Sequence, residues 1–374
     1  MAEPLQVALD ATPLIGRPTG VGAFCAGVLG GLSRRPDVQA TAYAVSWRRR
    51  HAIDGRLPAG VAVARRPMPA RPLHALWSRG SVPPLEWFVG VTDVVHGTNY
   101  VVPPTRRAAR VVTVHDLTTV RFPELCDAAT LAFPALVRRA LADGAWVHTH
   151  SASVADEVIE VFGADPDRVR AVPSGVPPLA APDDAAPRRY LPDGVEHYVL
   201  AVGTAEPRKD LPGLVAAFDA IAADRPGLWL VLAGPEGWGS AQLAEAISAA
   251  RARARVVVTG WVDDASLAGL LRRASVLAYP SRYEGFGYPP LQAMSAGTPV
   301  VATRAGATGE VLGDAALLVD PGDRDALAEA LASVVDSPEL AASLSARGRA
   351  HAAEFDWARC AAGLLALYRE ASGR

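Results

Sequence analysis

The stretch Glu284-Gly-Phe-Gly-Tyr-Pro-Pro-Leu-Gln-Ala-Met-Ser-Ala-Gly-Thr-Pro-Val-Val301 contains the start, the body and the end of one short helix. Pro289 and Pro290 are suited to open a helix, because its first turn does not use their missing N–H groups. Gly297 is suited to close it, since glycine readily adopts the left-handed conformation that follows a helix. The apolar run after Pro299 predicts a strand, and alternating helices and strands build parallel sheets.

The entrance to this helix predicts a binding site for an anion. Gly285 and Gly287 allow a ligand to approach the backbone closely. The first amides of a helix lack intrahelical partners and lie at the positive end of its dipole, which suits a phosphate group. A helix that only packs in the core would explain the apolar residues and the closing glycine. It would not explain a carboxylate, Glu284, followed by two glycines.

A second segment, Gly203-Thr-Ala-Glu-Pro-Arg-Lys-Asp210, carries Lys209, the single lysine among the 37 basic residues of the chain. An ammonium is a compact point charge, whereas a guanidinium is a planar fork. The segment follows a predicted strand that ends at Val202, so Arg208 and Lys209 are expected at the start of a helix. Two cations in that position can clamp a diphosphate. An ordinary exposed helix start would favour acidic residues.

Two weaker signals lie in the first half of the chain. The loop Gly16-Arg-Pro-Thr-Gly-Val-Gly22 follows the first predicted strand, but it lacks the G-x-G-x-x-G spacing of dinucleotide-binding loops. His115 follows the predicted strand Arg110–Val114, and such strand ends reach the ligand crevice of open α/β sheets. A lone histidine is more often structural, and the other seven show no metal-ligand spacing.

Short apolar runs alternate with helical patterns, which predicts an α/β protein with two doubly wound parallel sheets. The predicted strands are Gln6–Leu9, Ala40–Val45, Asp93–His96, Arg110–Val114, Trp146–Thr149, Val169–Val172, Tyr198–Val202, Trp229–Ala233, Arg255–Thr259, Val276–Tyr279, Pro299–Thr303 and Ala316–Val319. The predicted bounds are 1–178 for one Rossmann-like domain, 179–196 for a linker, 197–355 for a second such domain, and 356–374 for a helix packing back on the first domain. Ligands are expected in a cleft at the carboxyl ends of the strands.

Composition narrows the class of protein. Half of the residues are apolar (50%) and 20% are charged, which is typical of a soluble globular enzyme. A net charge of -2 does not indicate a nucleic-acid partner. The three distant cysteines suggest neither a disulfide framework nor a metal site, which favours a reducing cytoplasm. No apolar run has the length of a membrane span, and the N-terminus predicts a strand and not a signal peptide.

The basic residues are unevenly distributed. Residues 1–110 carry 14 Arg against 6 Asp or Glu, an excess of +8. Most of this excess lies in Arg48–Arg50, Arg65–Arg66 and Arg106–Arg107. A solvated face is the simpler interpretation of any one cluster. The functional interpretation is a basic surface that faces anionic lipid headgroups or an acidic acceptor.

Taken together, the motifs resemble those of the retaining nucleotide-sugar glycosyltransferases of glycosyltransferase family 4. The matching segments are Thr19–Gly22, His115–Asp116, Ser174–Val176, Gly203–Asp210, Gly260–Val262, Glu284–Val301 and Gly306–Pro321. The resemblance spans nearly the whole chain. It implies the GT-B fold, in which two Rossmann-like domains face a central cleft. The N-terminal domain would bind the acceptor and the C-terminal domain the nucleotide sugar.

The resemblance also implies residue roles. Arg208 and Lys209 would hold the donor diphosphate, Glu284 would lie near the donor sugar, and His115 would lie beside the transferred sugar. These four residues are the expected catalytic group. The backbone of Gly20 would approach the phosphate. The other expected donor-binding residues are Gly203, Val262, Gly285, Phe286, Gly287, Gln292 and Glu310.

Gln292 departs from the family pattern, which has a second acid there that holds the ribose hydroxyls. A carboxylate can accept from both hydroxyls, whereas an amide accepts with one end and donates with the other. Losing a charge-assisted bond is expected to cost on the order of 1 kcal/mol. We interpret the change as altered donor affinity and not as loss of activity, because Glu284, Arg208 and Lys209 remain.

The implied activity is transfer of a hexose from a nucleoside diphosphate sugar to a glycan, lipid-linked or small-molecule acceptor, with retained anomeric configuration. No metal ion and no cofactor besides the donor is expected. The segment His115–Glu124 is similar to segments of bacterial mannosyltransferases, which favours GDP-mannose and a role in polysaccharide biosynthesis. The basic first domain favours a cytoplasmic protein that associates peripherally with the inner face of the cell membrane.

Three alternatives stay open at this point. One is a non-catalytic GT-B protein that binds a nucleotide sugar or a partner transferase, and Gln292 is its best support. Another is a sugar-nucleotide epimerase of the same fold, which the family-4 motifs disfavour. An NAD-dependent oxidoreductase is weaker still, because the glycine loop is wrongly spaced.

Overall fold

The computed structural model describes residues 3–16, 19–77, 80–126 and 130–374. The strands within these ranges are β1 (Leu5–Asp10), β2 (Val38–Tyr43), β3 (Ala62–Val63), β4 (Val94–Gly97), β5 (Ala109–Thr113), β6 (Trp146–Thr149), β7 (Val169–Ala171), β8 (His197–Val202), β9 (Leu228–Ala233), β10 (Val256–Gly260), β11 (Val276–Tyr279), β12 (Val300–Thr303) and β13 (Leu317–Val319). The α-helices are α1 (Gly20–Ser33), α2 (Ala70–Trp77), α3 (Glu86–Val89), α4 (Thr118–Arg121), α5 (Phe133–Ala142), α6 (Ala152–Phe162), α7 (Ala186–Tyr190), α8 (Leu211–Ala222), α9 (Ser240–Ala249), α10 (Asp264–Arg273), α11 (Tyr288–Ala296), α12 (Thr308–Leu312), α13 (Arg324–Asp336), α14 (Pro338–Ala352) and α15 (Trp357–Ser372).

The chain divides into two compact units. The first comprises Met1–Pro177 together with Phe355–Arg374, and the second comprises Pro178–Glu354. Each unit has one parallel sheet. Its strand order is β3-β2-β1-β4-β5-β6-β7 in the first unit and β10-β9-β8-β11-β12-β13 in the second. Both orders reverse direction beside the unit's central strand, as in doubly wound folds. The predicted α/β class with two Rossmann-like sheets is confirmed.

The first unit is closed by the last helix of the chain. Leu364 and Tyr368 of α15 are fully buried together with Phe24 of α1 and Leu9 of β1. Helices α1 and α15 approach each other closely at Gly31. A Cβ atom there would lie 2.6 Å from the carbonyl oxygen of Trp357. A side chain at this position would therefore push the two helices apart.

The second unit includes the segment predicted as a linker. Residues 178–196 belong to this unit and contain α7, which packs against α10. A Cβ at Gly269 of α10 would lie 2.1 Å from the carbonyl oxygen of Asp183, and Ala186 is fully buried. Ala186 and Pro187 of this segment are thus buried, and the segment packs closely against α10.

The predicted strands agree with the observed ones to within two residues at each end. Strand β3 and the short helices α2, α3, α4, α7 and α12 were not predicted. Strand β3 has only two residues, too few to show a periodic pattern, and it pairs with β2 at the sheet edge. In the described ranges no helix is both long and apolar enough to pass through a membrane. Cys25 and Cys360 are buried as free thiols.

Candidate active site

The predicted donor-binding residues lie in the second unit, where the chain leaves successive strands of its sheet. Gly203 follows β8, Val262 follows β10, Glu284 follows β11, and Glu310 lies on α12 after β12. Because the strands are parallel, these segments share the carboxyl edge of the sheet, where ligands bind in open α/β folds.

The two cations lie in a turn that precedes a helix. Pro207–Lys209 forms a 3-10 turn after β8, and Asp210 then adopts a left-handed conformation with φ of 45°. Helix α8 begins only at Leu211. The expectation that Arg208 and Lys209 open this helix is therefore wrong, because the left-handed residue separates the turn from the helix.

Arg208 and Lys209 converge on one buried carboxylate. Nη1 of Arg208 lies 2.7 Å from Oε2 of Glu284, and Nζ of Lys209 lies 2.7 Å from Oε1. Arg208 also donates to the carbonyl oxygen of Tyr283 at 2.9 Å. Glu284 is only 7% exposed. Each carboxylate oxygen thus has its own cation, and the three side chains form a fixed ion-pair cluster.

The space around Lys209 suits a compact cation. Its Nζ donates to the hydroxyl of Tyr279 at 2.8 Å and lies 4.5 Å from the centre of that ring. On the other side, a Cβ at Gly203 would lie 3.3 Å from Cε of Lys209. A guanidinium is larger and planar, so it would compete with Tyr279 and the Gly203 backbone for this space.

Burial and the charges of neighbouring side chains set the pKa values of the residues in this cluster. Burial alone would raise the pKa of Glu284, but the charges of Arg208 and Lys209 outweigh it and lower the pKa to about 2. Burial lowers the pKa of Lys209, and the attraction of Glu284 is offset in part by repulsion from Arg208. Burial also raises the pKa of Glu206, which lies 3.5 Å from Arg208. Glu284 contacts two cations at once, whereas Lys209 contacts only Glu284 directly and is attracted by Glu206 from farther away.

The backbone on both sides of Glu284 is also held. Arg282 N donates to the carbonyl oxygen of Arg208 at 2.8 Å, and Ala307 N donates to that of Glu284 at 2.8 Å. A Cβ at Gly306 would lie 2.4 Å from the carbonyl oxygen of Glu284, so glycine is required for this approach. The loops after β8, β11 and β12 are thereby joined around the carboxylate.

The helix predicted from the opening stretch is α11, with its start and end as expected. Gly287, with φ of 104°, precedes it, Pro289 and Pro290 lie in its first turn, and Gly297, with φ of 84°, ends it. Phe286 is buried, with its ring centre 5.3 Å from that of Tyr288. Gln292 is half-buried on α11, Val262 is half-buried, and Glu310 is exposed.

The first unit holds the other two predicted residues. Gly20 is the first residue of α1 and is exposed, and the side chain of Thr19 caps this helix by accepting from the amide of Gly22 at 3.1 Å. Arg17 and Pro18 of the predicted glycine loop lie outside the described residues. His115 follows β5 and is half-buried.

His115 belongs to a group of four histidines that sequence reasoning missed. His96 lies on β4, His148 lies on β6, and His150 follows β6. Since β4, β5 and β6 are neighbours in the sheet, they bring these residues close to His115. All four rings surround Phe24, with centre-to-centre distances of 4.7 to 6.3 Å. The sequence does show histidines near the ends of three predicted strands. They can be recognised as one group only when the order of these strands in the sheet is known. Within the described ranges, no group of three or more His, Cys, Asp or Glu residues could hold a metal ion.

Known proteins resemble both the sequence and the fold. The family model "Glycosyl transferases group 1" matches residues 183–351. The O-antigen chain mannosyltransferase B of Escherichia coli is 30% identical over 287 residues, which are 74% of this chain and 74% of that protein. Among solved structures, sucrose-phosphate synthase from Thermosynechococcus elongatus has a TM-score of 0.75 at 20% identity, covering 99% of each chain. Anabaena HepE in complex with UDP-glucose has a TM-score of 0.73 at 17% identity, covering 96% of this chain and 98% of that one.

The solved structures and the family model both agree with the geometry described above. The structural neighbours share the arrangement of two parallel-sheet Rossmann-like domains, and the matched family segment contains the cluster of Arg208, Lys209 and Glu284. The chain therefore belongs to the group 1 family of glycosyltransferases and has the GT-B fold.

Proposed function

We propose that the protein transfers a hexose from a nucleoside diphosphate sugar to an acceptor hydroxyl with retention of the anomeric configuration. The observation that carries this proposal is the ion-pair cluster, in which Glu284 fixes Arg208 and Lys209 at 2.7 Å each. Both cations are thereby held in fixed positions. Electrostatic catalysis needs such preorganised charges where negative charge develops.

In the proposed reaction the bond between the sugar C1 and the diphosphate oxygen breaks, and a bond from the acceptor oxygen to C1 forms on the same face. The acceptor proton passes to an oxygen of the departing diphosphate. Arg208, Lys209 and the amides at the start of α11 stabilise the diphosphate charge. These groups supply the positive charge that a metal ion supplies in other transferases, so we propose that none is needed. No covalent nucleophile is assigned.

GDP-mannose is the donor that we favour. The similarity to a mannosyltransferase of Escherichia coli supports mannose, while the UDP-glucose complex of Anabaena HepE makes UDP-glucose the competing donor. We propose that the amide of Gln292 contacts the ribose and that Glu310 lies beneath the nucleotide, as the family resemblance implies. Gly20 and His115 keep their proposed roles beside the phosphate and the sugar.

A thermal-shift and calorimetry panel of nucleotides and nucleotide sugars tests the donor class. We expect a guanosine diphosphate sugar to stabilise the fold by about 2.7 kcal/mol at a concentration near 100 Kd. Gln292→Glu should bind the same nucleotide about fivefold more tightly, since it restores a charge-assisted bond worth on the order of 1 kcal/mol. Transfer should continue in EDTA.

This panel, combined with analysis of the reaction products, distinguishes two alternative functions. Donor binding without transfer to any acceptor or hydrolysis would favour the non-catalytic GT-B protein. Conversion of the donor sugar into an epimer would favour the epimerase. Inversion at C1 in the product would contradict the retaining mechanism, and a weaker or unchanged Kd in Gln292→Glu would refute the ribose contact.

We further propose that the acceptor is lipid-linked and that the first unit binds the anionic face of a membrane. Trp47 is 58% exposed beside the exposed residues Arg48 and Arg49, and Trp87 is 54% exposed. The guanidinium of Arg66 donates to the carbonyl oxygen of Trp87. Tryptophan is enriched at membrane interfaces, and basic residues near it are attracted by anionic headgroups. Each of these two groups therefore combines both kinds of membrane contact.

Vesicle co-sedimentation tests the membrane proposal. The protein should bind vesicles that contain phosphatidylglycerol, and high salt should release most of it, because salt screens the headgroup attraction. Replacing both Trp47 and Trp87 by serine should weaken binding about tenfold or more. Trp238→Ser is the matched control, since Trp238 is 49% exposed but lies in the second unit. Binding that is absent, or insensitive to salt, would contradict the proposal.

A further inference from the structure

A continuous hydrogen-bonded chain connects Ser174 to His115 in the first unit. Oγ of Ser174 lies 2.9 Å from Nδ1 of His150, and Nε2 of His150 lies 2.7 Å from Nδ1 of His115. Nε2 of His115 lies 2.9 Å from the carbonyl oxygen of Thr98. Both ring nitrogens of His115 and of His150 therefore have partners.

The carbonyl at one end sets the direction of the whole chain. A carbonyl oxygen only accepts, so Nε2 of His115 must carry the proton. In a neutral ring Nδ1 of His115 then accepts, which requires Nε2 of His150 to donate. Nδ1 of His150 consequently accepts from the hydroxyl of Ser174. One set of tautomers satisfies every bond.

Burial keeps both rings neutral, as this arrangement requires. His150 is 4% exposed and Ser174 is fully buried. Burial lowers the pKa of His115, against the opposing effect of its bond to Thr98, and burial lowers the pKa of His150 well below its usual value. Neutral imidazoles at physiological pH follow from these directions.

Aromatic rings fix the plane of His115 as well. The ring centre of His115 lies 4.9 Å from that of His150 in a stacked arrangement. Tyr100 and Phe24 meet the ring at 5.6 and 5.7 Å with interplanar angles of 66° and 86°. The ring can neither flip nor change its tautomer without breaking a bond that has a buried partner.

A second chain nearby does not touch His115. The hydroxyl of Tyr368 meets His96 at 2.7 Å, His96 meets Thr113 at 2.7 Å, and Thr113 meets His148 at 3.0 Å. His148 ends this chain at the carbonyl oxygen of Val172, 3.0 Å away. His148 is fully buried, lies two residues before His150 and stacks on the same Phe24 ring. It therefore provides a matched control.

We propose that His150 and Ser174 are positioning residues for the transfer reaction, because together with the carbonyl oxygen of Thr98 they hold His115 in its Nε2-protonated tautomer and in one orientation. The proposal rests on the function proposed above. Since neither nitrogen of His115 is available, its ring is not a proton acceptor for the acceptor hydroxyl. The ring instead joins the backbone after β5, where the family resemblance locates the transferred sugar, to the carbonyl oxygen of Thr98 after β4.

Matched variants of His150 and His148 test the proposal. His150→Phe keeps an aromatic ring but removes the donor to His115, so kcat should fall about 10- to 100-fold, as expected for misplacement of a reacting group, with little change in donor KM. His150→Gln should recover most of the rate, because the glutamine amide reaches the position of Nε2. His148→Phe alters the same core and keeps a ring edge-on to His150, 5.0 Å away in the wild type, but it removes no hydrogen bond of this chain, so its kcat per folded molecule should stay near the wild-type value.

Histidine tautomers give a readout that does not depend on activity. Long-range proton–nitrogen correlation spectra of histidine-labelled protein should show His115 as the Nε2–H tautomer in the wild type, and a mixture in His150→Phe. Ser174→Ala, a smaller change, should also permit the mixture if His150→Phe does not fold. An Nδ1–H tautomer in the wild type, or equal losses of kcat in His150→Phe and His148→Phe, would overturn the proposal. A wild type without transfer activity would instead refute the proposed function, while the spectra would still decide whether His115 is locked.

Discussion

Replacing Lys209 by methionine should lower kcat about 100- to 1,000-fold, the effect of removing one preorganised charge from a transition state. Methionine keeps an unbranched stem in the space beside Tyr279 but has no charge to offer the departing diphosphate. Initial rates at saturating donor measure the effect. Arg253→Met, which removes an exposed positive charge from the same unit, should leave the rate near the wild-type value.

Lys209→Arg separates charge from shape. It keeps the positive charge, but the guanidinium must share the space that Tyr279 and Gly203 leave for a slender stem. We expect a loss of about tenfold or more, since a fixed charge loses most of its effect when it is displaced by about 1 Å. Wild-type kcat and donor affinity in Lys209→Arg would show that this site needs only a positive charge and not a compact one.

Glu284→Gln should lower the free energy of unfolding at pH 7 by on the order of 3 kcal/mol. The pKa of Glu284 falls from 4.5 to about 2 in the folded protein, and each pKa unit corresponds to about 1.4 kcal/mol. Because the folded pKa is depressed, this stabilisation is fully present above about pH 4.5 and is lost as the pH falls towards 2. Transfer should also be lost, since both cations lose their common partner.

Urea unfolding between pH 7 and pH 2 checks this dependence. The wild type should lose more stability than Glu284→Gln over the range from pH 5 to pH 2, so that the two curves converge in acid. Glu329→Gln, an exposed change on α13, should follow the wild-type curve at every pH. Parallel curves for the wild type and Glu284→Gln would mean that the carboxylate of Glu284 does not stabilise the fold.

Local chemistry made the helix α11 predictable. Its prolines, its closing glycine and its entrance glycines act through backbone conformations that a short stretch of sequence reveals. Gly287 and Gly297 have the positive φ values that such positions require. The position of the cations after β8 was also predicted, since strand ends and turns follow local patterns. The separate turn before α8 was not, because the left-handed conformation of Asp210 has no common sequence signal.

Contacts between distant segments were beyond the sequence. The pairing of Glu284 with Arg208 and Lys209 joins residues about 75 positions apart, and the chain from Ser174 to His115 depends on the order of β5, β6 and β7. Sequence reasoning treated each histidine singly and favoured only His115, for its position at the end of a strand. Only the strand order shows that four of them surround one phenylalanine.

The use of α15 to close the first unit has a consequence for synthesis on the ribosome. The polypeptide of the first unit is interrupted by all of Pro178–Glu354, and Leu364 and Tyr368 fill its core only after that segment has been made. The second unit is continuous and needs nothing that is translated later. Although domains usually fold in the order of translation, here the unit that is begun first is completed after the second, and its nascent sheet stays uncovered beside α1 until α15 has left the ribosome.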